Sequence, residues 1–163
     1  MIRLAEPDDL PAIEKIYEAA RAFMRANGNP HQWGESGYPE RELLEEDIQM
    51  RRLYVADENG VPHGVFAFML GDDPTYAVIE NGHWPNDRPY GTIHRIASDG
   101  QMKGLLQKAL ALALTKTNEV RADTHKDNKP MQHVLAKHGF IRCGIIYLEN
   151  GDPRIAYHYS KEA

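Results

Sequence analysis

Apolar residues recur every three or four positions in some stretches of the chain and alternate with polar ones in others, and the two periods predict its elements. Ile13, Ile16, Tyr17, Ala20, Phe23 and Met24 form one helical stripe after Pro7-Asp8-Asp9, and Asn27-Gly28-Asn29-Pro30 ends it. Leu43, Leu44 and Ile48 predict a short helix over 40–50. Met102, Leu105, Leu106, Ala109, Leu110, Ala113 and Leu114 predict a third from about 101 to 117. Met131, Val134 and Leu135 mark a fourth, with Asn128 as its cap, Pro130 in its first turn and Gly139 at its end. Extended segments are expected over 2–4, 53–57, 64–70, 75–80, 92–98, 120–125, 141–148 and 154–160. Glu58-Asn59-Gly60 and Glu149-Asn150-Gly151-Asp152 are hairpin turn signals. The order β-α-α-β-β-β-β-α-β-α-β-β predicts an α/β protein. Its mixed, mostly antiparallel central sheet has six to seven strands, with helices on both faces.

Composition adds limits to that picture. A chain of 163 residues, 42% hydrophobic and 26% charged, is expected to form one domain over 1–163. A net charge of −5 argues against general nucleic-acid binding and serves solubility, or a cationic acceptor if the acid lies near a site. No apolar run approaches the ~20 residues that span a membrane, and Met1–Glu6 lacks the apolar core of a signal peptide. The only cysteine, Cys143, allows no disulfide within the chain, which makes a reducing, cytoplasmic setting the expectation.

Candidate chemistry gathers over 92–140. A polar turn after the fifth extended segment leads into a helix, whose first N–H groups have no partner in the helix. Those groups and the helix dipole suit an anion such as a pyrophosphate. Gly104 permits close backbone approach there, and Lys103 and Lys108 add positive charge. The same residues also fit an ordinary strand–helix turn. Asp123 and His125 share a strand face, and His94 stands on the other central strand. Two irregular aromatic stretches flank these segments. Residues 31–39 carry Trp33 and Tyr38, 81–91 carry Trp84 and Tyr90, and either stretch packs over the core or lines a pocket. The eight histidines show no ligand spacing, so no metal is expected.

Gln101-Met102-Lys103-Gly104-Leu105-Leu106, then Asn128, then Gly139-Phe140, follow the order of a Q/R-x-x-G-x-G/A loop, an Asn-led helix and its Gly-Phe end. This stretch resembles the GNAT acyltransferase superfamily. The resemblance implies a sheet whose fourth and fifth main strands splay apart. It implies acetyl transfer from acetyl-CoA to the amine of a small molecule or protein by direct attack in a ternary complex. Backbone N–H groups around Ile96, Ala97 and Ser98 would face the developing oxyanion. Gln101 to Leu106 would hold the pyrophosphate, and Asn128 and Met131 the pantetheine arm, where Asn128 also reads as a plain helix cap.

The implied base is Asp123, His125 or His94. Trp33, Tyr38, Glu80, Trp84 and Tyr90 would shape the acceptor site. Two positions depart from the family pattern: Leu106 replaces the final Gly/Ala of the loop, and Leu135 stands where many members carry a tyrosine that protonates the leaving thiolate. Tyr147, Tyr90 and Tyr157 are the alternative acids. Relatives also suggest a homodimer. Two other readings stay open: a non-catalytic acyl-CoA-binding module on the same fold, and an unrelated α/β protein that binds another phosphate ligand.

Overall fold

The computed structural model describes residues 1–33 and 37–161, so 34–36 of the first aromatic stretch lie outside the described residues. Seven strands form one sheet: β1 (Ile2–Leu4), β2 (Leu53–Glu58), β3 (Val61–Leu70), β4 (Gly91–Ser98), β5 (Glu119–Thr124), β6 (Ile141–Tyr147) and β7 (Pro153–Ser160). Their order is β1-β2-β3-β4-β5-β7-β6. Every neighbouring pair is antiparallel except β4–β5. The expected mostly antiparallel sheet with helices on both faces is therefore present.

Both faces of the central strands are buried, and β3 shows why. Side chains of a strand alternate between faces. Val65 and Ala67 pack with α1 (Leu10–Ala26) and Leu44 of α2 (Arg41–Gln49). Phe66 and Phe68 pack with α3 (Leu105–Ala113) and Leu135 of α4 (Lys129–Lys137). Ile13, Ile16 and Tyr17 of α1 are at most 2% exposed, so the expected stripe is a core face as far as Ala20, whereas Phe23, in the last turns of the helix, is 56% exposed. Burying each such side chain contributes about 1.5–3 kcal/mol before ordering entropy is subtracted.

Two expected elements differ. The strand predicted over 75–80 is replaced by a 3-10 turn at Pro74–Tyr76. Asp73 caps that turn, accepting from the Thr75 N–H at 2.9 Å and the Thr75 hydroxyl at 2.7 Å. Proline presets the helical φ, so the apolar run after it begins as a turn. Only Glu80 pairs, in a bridge with Ile145 on the free edge of β6. The helix predicted from about 101 begins instead at Leu105. Gly100 and Gly104 have φ of +87° and +76°, which a right-handed helix does not include. Met102 still reaches the core from the loop, beside Gly64, where an added Cβ would lie 2.8 Å from its sulfur.

Candidate active site

The parallel pair β4–β5 is the place where the sheet opens. Only Gly91↔Val120 and Thr92↔Arg121 are in register, and beyond them the strands part. A bulge in β4 accompanies the parting, because its register against β3 slips between Val65 and Ala67. Arg95 lies in the bulge at φ +52°, rare for a residue with a side chain. It is held from two sides. Its carbonyl accepts the Tyr17 hydroxyl at 2.6 Å, and its guanidinium donates two bonds of 3.0 Å to Asp47. Asp47 is fully buried on α2 and also accepts from Arg52 at 2.7 Å.

A cleft of about 780 Å³ fills the opening. Strand alternation divides its lining between the two faces of the sheet. Ile93 and Ala122 pack toward α3 and α4, so their neighbours His94 and Asp123 point toward the α1 face. Ile96, Leu106, Asn128, Met131 and Leu135 also line the cleft, as do Trp33 and Tyr38.

At the α3 end, the residues fit an anion. Among the described residues, no hydrogen bond occupies the backbone N–H groups from Met102 to Gln107, and Lys108 N–H to Gly104 is the first bond of the helix. The position of a Gly104 Cβ would have no neighbour closer than 3.8 Å. Lys103 lies in the loop just before α3, and Lys108 within the helix brings its Nζ 4.0 Å from that Cβ position. The preceding Gln101 N–H is taken internally by the Asp99 carboxylate at 2.9 Å, which also meets His63 at 2.7 Å. The loop thus presents a run of donors from Met102 onward, next to one internal acid. Of the expected backbone donors, Ala97 turns its side chain into the α1 core, and the Ser98 hydroxyl accepts the Gly100 N–H. Leu105 and Leu106 bury their side chains in the α3 core while their N–H groups remain available. Asn128 caps α4 by accepting the Met131 N–H at 3.1 Å, and its amide donates to Gln32 at 2.9 Å.

At the α1 face, two acid-centred pairs stand together. His94 Nε2 meets Asp73 at 2.8 Å. Burial pushes the Asp73 carboxyl up, but hydrogen bonds from His94 and Thr75 outweigh it and hold it at about 2. The buried Tyr76 hydroxyl donates to Asp123 at 2.6 Å. Burial and the Asp123 charge push that phenol well above its ordinary range, so it stays a donor. Chemically, the first pair can take a proton and the second can hold a cation.

Other candidate residues lie elsewhere. β5 ends at Thr124, and His125 Nδ1 accepts the Asp127 N–H at 3.0 Å in the following loop. Burial and the charge of Arg154 lower its pKa. Tyr147 donates to Glu80 at 2.9 Å at the β6 edge. Tyr157 is buried in the α3–α4 core. Trp84 and Tyr90 sandwich the Arg121 guanidinium, each ring 3.9 Å away. That guanidinium donates to His158, which meets Glu119 at 2.8 Å, and Glu119 also accepts from Asn86. The 81–91 stretch is therefore pinned to β5 and β7, and the 31–39 stretch alone brings its aromatics to the cleft. His125, Glu80, Trp84, Tyr90 and Tyr147 do not line it.

Sequence reasoning missed Asp73, Tyr76, Gln32 and Arg154. Asp73 and Tyr76 sat in turn and strand signals, Gln32 in an irregular stretch. Arg154 looked like any charge at a strand start.

No family model matches the chain, and no curated protein does. Solved structures match it along its whole length. A GNAT-family acetyltransferase from Streptococcus agalactiae 2603 is 34% identical, with a TM-score of 0.88 over 100% of this chain and 96% of that one. A Staphylococcus aureus Mu50 protein assigned as an acetyltransferase is 26% identical, with a TM-score of 0.72 over 99% of each chain. A GNAT-family acetyltransferase from Bacillus cereus ATCC 10987 shares the fold at 22% identity and a TM-score of 0.64, over 100% of this chain and 98% of that one.

Proposed function

Because the chain belongs to the GNAT family of acetyltransferases, we propose that it moves an acetyl group from acetyl-CoA to the nitrogen of an amine by direct attack. Both substrates meet in the β4–β5 cleft, and the reading keeps the protein in the cytoplasm. The observation that carries it is the two-sided lining of that cleft. Unoccupied N–H groups of the α3 turn lie at one end, and the His94–Asp73 and Asp123–Tyr76 pairs lie on the opposite face.

The Met102–Gln107 backbone and Lys103 and Lys108 would hold the pyrophosphate of acetyl-CoA, whose thioester supplies an activated acetyl group. Asn128 and Met131, which line the cleft, would border its arm. Asp123 would orient the acceptor ammonium. His94 would take its proton. Asp73, ionised throughout the neutral range, accepts the Nε2 hydrogen and leaves Nδ1 as the basic nitrogen. A backbone N–H of the β4 bulge at Ile96 would stabilise charge on the acetyl oxygen. Leu135 is buried and brings no acid to the cleft. Tyr90, Tyr147 and Tyr157 stay outside it, so solvent would supply the last proton.

The test is acetyl-CoA turnover across a panel of amino acids, polyamines, arylalkylamines and amino-terminal peptides, with calorimetric titration of coenzyme A. Micromolar coenzyme A binding together with transfer to at least one class supports the reading. Binding with no transfer to any class favours a non-catalytic acyl-CoA module. Absence of binding removes the cofactor itself.

A further inference from the structure

Three arginines, Arg52, Arg95 and Arg154, line the cleft, and they are not equivalent. Arg52 and Arg95 both end on Asp47. Arg154, at the start of β7, is 5% exposed and makes no ion pair with any described carboxylate. Its guanidinium donates only to main-chain carbonyls, to Gln32 at 2.7 Å and to Pro153 at 2.9 Å. Burying a cation without a counter-ion is costly, and an anion delivered by a ligand offsets that cost.

Sheet register fixes what stands near it. β5 pairs with β7 so that Asp123 faces Ala156. Arg154 is two residues from Ala156 and therefore on the same face, diagonal to Asp123. Asp123 has one carboxylate oxygen bound to Tyr76, and His94 and Asp73 line the same cleft. Asp123 and Asp152 act on the Arg154 charge from beyond ion-pair distance. This face of the cleft thus offers an acid for an ammonium and, one diagonal away, a guanidinium with no carboxylate partner among the described residues.

Resting on the acetyltransferase reading above, we infer that the acceptor carries a carboxylate next to its amine, as a free α-amino acid does, and that Arg154 pairs with that carboxylate. A protein amino terminus, whose α-carbonyl is an amide, lacks the charge Arg154 selects. The apolar lining from Met24, Trp33, Leu43 and Met69 suits an amino acid with an uncharged, apolar side chain.

The experiment compares methionine with methioninamide, and phenylalanine with phenylalaninamide, by calorimetry on the coenzyme A-saturated protein. The carboxylate forms are expected to bind at least about tenfold tighter, and Arg154→Met to abolish the difference while Arg154→Lys keeps part of it. Equal affinity within each pair, or no binding of either member at millimolar concentration, overturns the inference. So does a fall in coenzyme A affinity in a folded Arg154→Met, because the guanidinium would then serve the cofactor. The comparison of ligands on the unmodified protein stands even where Arg154→Met fails to fold. Turnover measured in parallel separates the two readings. Carboxylate discrimination without acetyl transfer overturns only the transfer, and transfer to acid and amide alike overturns only the discrimination.

Discussion

At the scale of single residues, the proposed chemistry turns on His94. Replacing it with alanine should lower kcat by roughly 10²–10⁴ and leave coenzyme A affinity unchanged, because the ring faces the side of the cleft away from α3. Steady-state kinetics with a calorimetric control reads both quantities, and an unaltered kcat would move the base to Asp123. Asp73→Asn should give a smaller loss. The amide oxygen of Asn can still accept across the 2.8 Å contact, but the fixed negative charge beside the imidazole is gone. These partners were hidden in the sequence for a simple reason. His94 and Asp73 are 21 residues apart, Tyr76 and Asp123 are 47 apart, and Arg154 and Gln32 are 122 apart. Only the tertiary fold, which lays loops and a 3-10 turn against strands of the sheet, brings them together. Asn128, by contrast, caps the helix it opens, and its role as a cap was legible because both partners lie within four positions.

At the scale of elements, the turn into α3 makes a prediction that separates backbone strain from charge. Gly104→Ala should cost about 1 kcal/mol of stability, since φ is +76° and a side chain there is strained although the space is open. Its coenzyme A affinity should change little. Gly104→Asp carries the same strain and adds a negative charge to the donor run, so its affinity should collapse. Isothermal titration of both variants checks this, and equal affinities would remove the turn from the cofactor site. The same element shows why α3 was expected too long. Its apolar spacing continues back to Met102, but two left-handed glycines let that residue join the core from a loop. The 75–80 run failed as a strand for a related reason: Pro74 and the Asp73 cap were stronger local signals than β-branched content. The hairpin turns and the α1 stripe were legible because the residues that determine them are neighbours along the chain.

At the scale of the whole molecule, the network behind the cleft ties one loop to two strands. Glu119 is buried, and burial pushes its carboxyl up. Bonds from Ser160, Asn86 and His158 outweigh that and hold it at about 2, against an ordinary 4.5. Asp73 is likewise lowered from 3.8 to about 2. The unfolded chain binds both protons more readily, so the stability these groups add is complete above their ordinary values. It is lost as the pH falls toward 2. Melting temperature should therefore decline steeply between about pH 4.5 and about pH 2, and Glu119→Gln should flatten part of that decline. A slope identical in the variant would mean that the network carries no proton linkage.

That network has an optical consequence. The chain has two tryptophans. Trp84 is clamped against Arg121 outside the cleft, while Trp33 lines the cleft beside Tyr38. One indole thus stands outside the cleft and the other lines it. The intrinsic fluorescence of the protein accordingly contains its own reference and its own sensor, and a change in emission on titration reports occupancy of the acceptor side without any attached dye.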